Sequence, residues 1–485
     1  MFRISKLILL LAFISCQIAN GQERWDLKRC IEYAMQNNNS VKQIAVQEKV
    51  AAITYKQSKL SQLPSANFSD NDGYRFGKSQ NPSTGILENQ NFFSVGLNFQ
   101  TSIDIFNWYS KRNTILANQW EGLAARAATE KLRNDIALTV ANSYLQVLLA
   151  KQQQSIAQVQ LDQSKQQFDI VTKQVKAGAL PELNAVELES QVARDSANVI
   201  TAKGTMEQAM YTLKAYMSID PGQPFEIAEP PVDKIPLDNL VDLQPEAVYN
   251  LALANQPQQK YNEFKLKGAQ KFLLATRGSL YPTISLYGTL GTNYGYYKSP
   301  AYKQVFSGQY SPSGLVAPNG SGGYTDAGYL YPVYNYQQSG YTYADPLGTQ
   351  LNNNFGQSIG INISVPIFNG WAAKANYEKA KLNITSLSFQ KDIDNLSLKQ
   401  NIYQAYTAAT VAQEKFNASA KAVDAAQKVY DFSLKRFNVG ILSTLELTTN
   451  QNNLFTAKLQ YVLNQFDYVF KMKVLEFYKG EGLRL

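Results

Sequence analysis

The chain has 485 residues, no histidine, two cysteines and a formal net charge of +8. Without histidine it lacks the usual general base, the usual neutral metal ligand and every nucleophile arrangement that needs an imidazole, so an enzyme, a cofactor or a metal centre is not expected. Acidic and basic residues are interspersed without a long basic block. The charge therefore indicates a solvated surface, with no nucleic-acid partner.

The N-terminal segment has the pattern of an export signal. Arg3 and Lys6 precede an apolar run, and a small-residue cleavage site comes directly before Gln22. We expect residues 1–21 to be removed, and because two basic residues leave with them the formal charge falls from +8 to +6. A lipoprotein site at Cys16 is the alternative.

The other cysteine, Cys30, has no partner for an intrachain disulfide once the signal is removed. We expect it to be buried like a small hydrophobic side chain. No apolar run of about 18 residues follows the signal, so no transmembrane helix is expected.

The two halves of the chain share one plan. "AMQNNN" at 34–39 and "ALANQP" at 252–257 lie 218 residues apart, whereas "IDIFNW" at 103–108 and "VPIFNG" at 365–370 lie 262 residues apart. The difference of 44 residues falls in a tract rich in Tyr, Gly, Ser and Pro, which is typical of an exposed loop. The sequence therefore predicts a signal peptide (1–21), a first repeat (22–220), a Pro-rich connector (221–243) and a second repeat (244–485) that contains a loop insertion (297–354).

Four segments show the period-two alternation of β-strands, or a weaker form of it. They lie near 66–76, at 93–105, at 283–296 and at 359–367. Each has about 10 residues or more, enough to cross a bilayer obliquely. A soluble antiparallel sheet that is wet on one face is the alternative. Because four strands cannot close a membrane barrel, membrane-spanning strands would have to be pooled by several chains.

Two segments predict very long helices. Lys111–Ala177 contains only Gly122, and Trp371–Val439 runs for 69 residues without glycine or proline. At 1.5 Å per residue each could reach roughly 100 Å. A row of mostly large residues from Val140 to Val175 recurs every seven residues beside a row of smaller ones, which indicates close helix–helix packing. A plain coiled-coil stalk has the same pattern.

Each long helix is followed by a break, "VKAGALPELNAVE" at 175–187 and "FNVGILSTLELTT" at 437–449. Pro181 is favoured in a first helical turn, and Ser443 can cap a new helix. We therefore predict hairpin tips centred on Gly178 and Gly440, from which a second helix returns, at the end remote from the strands.

This order of strand pair, very long helix, glycine-centred tip and returning helix, given twice in an exported chain, resembles the TolC-like outer-membrane efflux family. The resemblance covers essentially all of the mature chain and includes "WDLKRCIEYAMQNN", the "LPS" and "YPT" strand starts, "PIFNG" and both tips. It implies a mainly α fold with membrane β structure, in which a homotrimer pools its strands into a 12-stranded outer-membrane β-barrel continued by a periplasmic α-helical barrel.

The resemblance also implies the function. The chain would be the passive exit duct of a tripartite efflux or type I secretion system, exporting small molecules or proteins. Its tips would meet a periplasmic adaptor, a membrane fusion protein, which also holds an inner-membrane pump of the RND or ABC type. An exported trimeric coiled-coil stalk or adhesin is the alternative function.

Residue roles follow by position from the same resemblance. The adaptor-contact tips are Gly178, Leu180, Pro181, Gly440, Ile441, Leu442 and Ser443. An inward carboxylate that narrows the resting aperture matches Glu446, and a second such position holds Thr449. The tyrosine and arginine of the usual closed-state latch correspond to Phe437 and Leu442, and their acidic partner to Asn184, so that latch is absent in its usual form.

Three Glu446 carboxylates around an axis would repel one another and attract cations, which would make the aperture sensitive to charge. Alternatively, Glu446 complements the positive end of a helix start.

Overall fold

The structure is a computed structural model that describes residues 24–80, 87–89, 91–229, 235–296, 298–319 and 321–480. The predicted signal peptide and Cys16 lie outside these ranges. The chain divides into two compact units. The helical unit comprises residues up to Gln57, Asn113–Leu274 and Asn376 onwards, and the strand unit comprises Ser58–Arg112 and Ala275–Ala375.

Nine α-helices lie in the described part of the chain. They are α1 (Leu27–Asn37), α2 (Asn39–Leu60), α3 (Ser110–Lys176), α4 (Glu182–Met217), α5 (Pro245–Asn255), α6 (Pro257–Gly278), α7 (Leu347–Asn353), α8 (Ala372–Asn438) and α9 (Thr444–Lys479), with a 3₁₀ turn at Leu240–Asp242.

Ten β-strands are described as well. They are β1 (Ser65–Arg75), β2 (Lys78–Gln80), β3 (Leu87–Asn89), β4 (Phe92–Phe106), β5 (Thr283–Tyr296), β6 (Lys298–Pro312), β7 (Val316–Pro318), β8 (Tyr324–Asp326), β9 (Leu330–Tyr343) and β10 (Gly356–Ser364).

The helices repeat in pairs of equal length. Both α1 and α5 have 11 residues, and both α2 and α6 have 22. Both α3 and α8 have 67 residues, and both returning helices, α4 and α9, have 36. The helix boundaries therefore reproduce the sequence offsets of 218 and 262 residues.

The predicted seven-residue rows lie at the buried side of the long helices. In α3 the buried positions include Val140, Val147 and Leu161 from the large row and Ala150, Ala157 and Ser164 from the small row. In α8, Ile402, Ala409, Ala412 and Ser419 are buried in the same way. Alternation of large and small residues lets neighbouring helices approach closely, which is what keeps helices of this length packed.

The connector is fastened to the helical unit by backbone hydrogen bonds and buried lysines. The Trp25 N–H donates to the Glu226 carbonyl at 2.9 Å. The buried Lys214 of α4 donates from Nζ to the carbonyls of Pro221 and Gln223 at 2.8 and 2.7 Å. Residues 221–229 of the connector are therefore held against the helical unit.

A second buried lysine holds the far end of the connector. Lys473 of α9 donates to the Pro236 carbonyl at 2.6 Å and pairs with the Glu476 carboxylate at 2.7 Å. The other Glu476 oxygen accepts the Asp238 N–H at 2.9 Å. These partners compensate for the cost of burying the two charges.

Cys30 lies in the core of the helical unit, as predicted. Its side chain is fully buried among residues that include Leu27, Ala34 and Tyr144. Burial, aided by the Asp26 charge, raises the pKa of the Cys30 thiol to about 12. The thiol therefore stays protonated and unreactive at neutral pH.

The four predicted strands form one antiparallel sheet in the order β1-β4-β5-β10. The boundaries of β1, β4 and β5 lie within one residue of the predicted segments. The last strand ends at Ser364, so the prediction was wrong for Val365 and Ile367. Pro366 explains the early end, because it cannot donate to a ladder hydrogen bond.

The prediction of an exposed loop at 297–354 was wrong about secondary structure, although the described residues there are largely exposed. Strands β6 and β9 pair as an antiparallel ribbon whose register shifts after Ala301 and after Phe306, with the short pair β7–β8 between them. Helix α7 then leads back to β10. Several of the glycines lie at turns, whereas Pro300, Pro312 and Pro332 lie at paired positions of the ribbon.

Candidate functional site: a two-faced sheet and two helical tips

The four-stranded sheet has one apolar and one polar face. Residues that pair directly across strands share a face, so the register decides each face. The apolar face carries Ile359, Ile361 and Ile363 of β10, Ile284, Leu286 and Leu290 of β5, Val95, Leu97, Phe99 and Ile103 of β4, and Ala66 and Phe68 of β1. The other face is mostly polar and carries Ser94, Asn98, Gln100, Ser102, Ser285, Thr289, Asn293, Ser358, Asn362, Asn67, Ser69 and Asn71, together with the aromatic Phe92 and Tyr287.

The apolar face is uncovered. Ile359, Ile361 and Ile363 are 79%, 64% and 63% exposed. A contiguous apolar surface of this kind is rare on a soluble monomer and marks contact with lipid or with another protein.

Aromatic side chains flank the apolar band at both ends. At one end Tyr74 and Phe93 lie 4.9 Å apart between ring centroids, in the same row as Tyr296. At the other end the rings of Trp108 and Tyr281 lie 4.7 Å apart. Paired aromatic girdles around an apolar band are typical of strands that cross an outer membrane.

The spacing of these girdles fits a bilayer. From Ile284 to Tyr296, β5 rises roughly 40 Å along its axis, or roughly 30 Å along the membrane normal at a tilt of about 40°. Two carboxylates interrupt the apolar face on the edge strand β1, where Asp70 pairs with Leu97 and Asp72 with Val95. Both lie in the half of the sheet nearer to Tyr296.

The two helical tips have the same backbone. At the first tip, Gly178 N–H donates to the Val175 carbonyl and Ala179 N–H to the Gln174 carbonyl, both at 2.9 Å. At the second tip the same bonds join residues 440 to 437 and 441 to 436. Gly178 and Gly440 have φ of +74° and +76°. Each long helix therefore ends in the Schellman motif that favours glycine, and the two predicted tips lie where the sequence placed them.

The returning helices start differently. Ser443 is the N-cap of α9, and its hydroxyl accepts the Glu446 N–H at 3.2 Å, as predicted. Helix α4 begins at Glu182, one residue after the predicted start, and Pro181 occupies the N-cap position without a side-chain cap bond. A proline side chain has no acceptor to offer there, so its fixed φ is its contribution.

The predicted tip residues differ in exposure. Pro181 and Ile441 are exposed, as are Gly178, Gly440 and Ser443, and Leu180 is partly buried. Leu442, by contrast, is buried in a cluster with Tyr430, Leu447 and Leu454. Its side chain holds the second tip together and is not presented at the surface.

Two of the three positions of the usual latch, Phe437 and Leu442, lie at the edge of or within this apolar cluster. Phe437 packs against its edge, which gives Phe437 and Leu442 a packing role in this chain. Asn184 is partly buried, and its N–H donates to the Pro181 carbonyl at 3.2 Å. Glu446 and Thr449 are exposed on α9, and the Thr449 hydroxyl donates to the Leu445 carbonyl.

Further along the helices from the first tip, a buried polar network joins α3, α4 and α9. The Ser164 hydroxyl donates to Asp195 Oδ2 at 2.6 Å, and Gln191 Nε2 donates to the same carboxylate at 3.0 and 3.1 Å. Gln191 also exchanges hydrogen bonds with Asn452, and Gln451 donates to Ser164 Oγ at 3.4 Å. The network therefore connects the two sequence repeats.

Sequence reasoning missed this network. Ser164 was placed in the small row of α3, but its partners lie 31 and 287 residues away. A usable indication was present, because polar Gln191 and Asp195 are spaced four apart on one face of α4.

None of the helices in the described residues combines the length and hydropathy that a membrane-spanning helix requires. The same residues contain no group of three or more Cys, Asp or Glu side chains placed to hold a metal ion.

Comparison with known proteins gives a consistent answer. The outer membrane efflux protein family matches residues 30–218 and 330–475. The pyoverdine export outer membrane protein OpmQ of Pseudomonas aeruginosa is 27% identical over 220 residues, which cover 44% of this chain and 44% of OpmQ. The alkaline protease secretion protein AprF of the same organism is 21% identical over 451 residues, which cover 90% of this chain and 81% of AprF.

The fold is shared with solved structures. The CmeC outer membrane channel of Campylobacter jejuni superposes with a TM-score of 0.70 at 18% identity, over 95% of this chain and 87% of CmeC. These similarities support export and give no support to the alternative of a structural stalk or adhesin.

Proposed function

Because this chain belongs to the outer membrane efflux protein family, it serves export across the outer membrane, and we propose that it does so as the passive exit duct of a tripartite efflux or secretion system. The observation that carries the proposal is the two-faced sheet between aromatic girdles. The apolar face would contact lipid, and the polar face would line a water-filled passage.

Three copies would complete the passage. The outer strands of the sheet, β1 and β10, each pair on one side only within the sheet. An unpaired edge in lipid would leave backbone N–H and C=O groups without partners, so each edge would pair with the opposite edge of another copy. Three four-stranded sheets would give a 12-stranded barrel, continued by the long helices into the periplasm.

The two tips would meet a periplasmic adaptor. Their exposed apolar side chains support this role: Ile441 is 68% exposed, and Leu183 and Leu445 are exposed close by. We propose Gly178, Leu180, Pro181, Gly440, Ile441 and Ser443 as contacts, with Leu442 supporting them from inside the tip. The adaptor would couple the duct to an inner-membrane pump of the RND or ABC type, which supplies the energy.

The resting aperture would be set by Glu446 and Thr449. Both are exposed one helical turn apart on α9, so both can face a common axis when three copies assemble. Small molecules, metal ions and proteins are all compatible with such an opening.

The test is assembly and conductance of the protein extracted from outer membranes. Native mass measurement in detergent should give three copies, and insertion into a planar bilayer should give discrete cation-preferring conductance steps. Glu446→Gln should lower the cation preference, and Glu414→Gln, which removes a carboxylate elsewhere on an exposed helix face, is the matched control. A monomer without conductance would refute the duct.

A further inference from the structure

The ribbon of β6 and β9 has one aromatic face. The register pairs Lys298 with Tyr343, Pro300 with Tyr341, Tyr302 with Gln338, Gln304 with Tyr336, and Phe306 with Tyr334. These pairs lie on one side because side chains alternate along β6, and because the register shift after Ala301 leaves Ser339 of β9 unpaired, so that Tyr341 and Gln338 stay opposite the same face. The aromatic face is therefore made by Tyr302, Phe306, Tyr334, Tyr336, Tyr341 and Tyr343.

The opposite face of the ribbon has no aromatic residue among the pairs from Ala301 to Val305. It carries Ala301, Lys303, Val305, Asn335, Gln337 and Gly340. Tyr331, which pairs with Ser311 beyond the second register shift, is the exception on this side. From residue 301 to residue 306 the aromatic side chains are therefore confined to one face, which suits that face for contact with a partner.

The aromatic face is uncovered in the single chain. Its six rings are between 42% and 69% exposed. At about 200 Å² for each full side chain, this amounts to roughly 600 Å² of exposed aromatic surface. That matches or exceeds the largest apolar patch of a typical soluble monomer. A two-stranded ribbon is also only marginally stable in water without a covering partner.

Lipid is a poor candidate for the cover. The ribbon follows directly after Tyr296, which lies in the aromatic girdle that marks one edge of the apolar band. Strands β5 and β10 carry the ribbon at this end, and α6 and α8 follow at the other end of the same strands. The ribbon therefore lies beyond the bilayer, in water.

The charge of the aromatic face suits a second copy of itself. Lys298 is its one charged residue within the paired positions, and the Lys298 ammonium lies 3.8 Å from the Tyr341 ring centroid. Identical faces can therefore approach without facing arrays of like charge. Tyrosine hydroxyls and glutamine amides both donate and accept, as Gln304 Nε2 does when it donates to the Tyr336 hydroxyl at 2.8 Å.

The ribbons are long enough to meet. A strand of 14 or 15 residues spans roughly 45 Å. A closed barrel of 12 strands, spaced about 4.8 Å apart and tilted by about 40°, has a radius of roughly 12 Å. Ribbons that rise from one rim can therefore reach one another across or along it.

We propose that the aromatic faces of the ribbons bind one another between copies of this chain, on the outer side of the membrane. The inference rests on the proposed trimer, because the shared rim brings the ribbons together. It adds a second interface between copies, separate from the strand edges.

Neighbouring glutamines provide a matched test. Gln338 and Gln337 are both exposed, but Gln338 lies on the aromatic face and Gln337 on the opposite face. Gln338→Cys and Gln337→Cys chains in intact outer membranes would be treated with a short bifunctional maleimide. The Gln338→Cys chain should form covalently linked copies at least tenfold more than the Gln337→Cys chain. The chain without an introduced cysteine gives the background, to which the buried Cys30 should not contribute.

A second variant tests the aromatic surface directly. In the Gln338→Cys background, Phe306→Ser with Tyr334→Ser should abolish cross-linking, whereas Lys303→Ser on the other face should leave it unchanged. Equal cross-linking at residues 337 and 338, or none at either, would overturn the inference. Native mass separates the two proposals: a trimer without ribbon cross-links contradicts only the ribbon contact, and a monomer contradicts the duct itself.

The remaining possible result is that a different partner, and not a second copy of the chain, covers the aromatic face. If purified trimers show no ribbon cross-links and a glycan array shows binding that Phe306→Ser with Tyr334→Ser removes, the face is a carbohydrate site and the proposed self-contact is wrong.

Discussion

The two helical hairpins of the helical unit have the same backbone conformation at their tips but differ in the side chains packed between their helices. Helices α3 and α4 contribute Ser164, Gln191 and Asp195 to a polar network that α9 also joins, while α8 and α9 enclose an apolar cluster around Leu442 and Leu447. The positions 262 residues after Ser164, Gln191 and Asp195 hold Ala426, Asn453 and Ala457. Duplication therefore preserved the tip geometry, and the interiors diverged.

The difference teaches that one backbone tolerates two kinds of interior with different physical demands. The stability that the apolar cluster contributes depends on how well its side chains fill the space. The stability lost on truncating one of them should therefore increase with the volume of the cavity created. The stability that the polar network contributes depends on each donor having an acceptor. The stability lost on substitution should therefore increase with the number of buried polar groups left without a partner. Substitutions at Leu447 and Asp195 separate these two dependencies, and amide hydrogen exchange near each tip can measure the local opening free energy.

The largest effect is expected at Leu447, which is 1% exposed in the apolar cluster. Leu447→Ala should lower the local opening free energy of the second tip by about 2–5 kcal/mol, because the cavity cannot fully collapse. Leu445→Ala on the exposed side of the same helix is the control, with an expected change within about 0.5 kcal/mol. Similar losses for both variants would contradict the cluster's role.

The next effect is expected at Asp195. Asp195→Ala should destabilise the first hairpin by about 1–3 kcal/mol, because the Ser164 hydroxyl and the Gln191 amide lose their acceptor in a buried site. Asp195→Asn keeps one acceptor oxygen and should lose less. Asp169→Ala removes an exposed ion pair with Lys173 and should cost well under 1 kcal/mol. If Asp195→Ala lowers stability no more than Asp169→Ala does, the polar network does not stabilise the first hairpin in the way described.

The two tip glycines should respond alike. Gly178→Ala and Gly440→Ala should each cost about 1–2 kcal/mol, because φ near +75° strains any residue with a Cβ. Crowding is not the cause, since an added Cβ would meet nothing within 4 Å at either position. Gly122→Ala inside α3, also unobstructed, should instead stabilise by up to about 1 kcal/mol. Unequal losses at the two tips would break the claim of a shared backbone.

The smallest effect separates the two helix starts. Ser443→Ala removes a cap hydrogen bond and should cost about 1 kcal/mol. Pro181→Ala at the matching helix start removes no cap bond and should change stability by about 0.5 kcal/mol or less. The comparison fails if Pro181→Ala proves the more damaging of the two.

The sequence predicted the backbone of this protein better than it predicted the side-chain contacts in its interior. Long runs with no proline and at most one glycine gave α3 and α8 to within one residue at each end, because glycine and proline act locally to end a helix. Glycine after such a run located both tips for the same reason. The Asp195 network was missed because its members come from three helices that only tertiary packing brings together.

The prediction for the residues of the β6–β9 ribbon was wrong for a different reason. A composition rich in Tyr, Gly, Ser and Pro favoured a loop, yet Tyr302, Gln304 and Phe306 already alternate with Lys303 and Val305 at the strand period. The loop prediction followed the composition and not this alternation. The pairing of two strands about 30 residues apart also cannot be predicted from the sequence of either strand alone.

The two buried lysines that bind the connector fix one end of each returning helix. Lys214 near the end of α4 and Lys473 near the end of α9 both hold the connector, while the tips lie at the opposite ends of these helices. A helix of 36 residues is about 54 Å long, so a rotation of about 5° about the fastened end carries the tip through about 5 Å. A small angular strain at the connector is thus amplified at the tip.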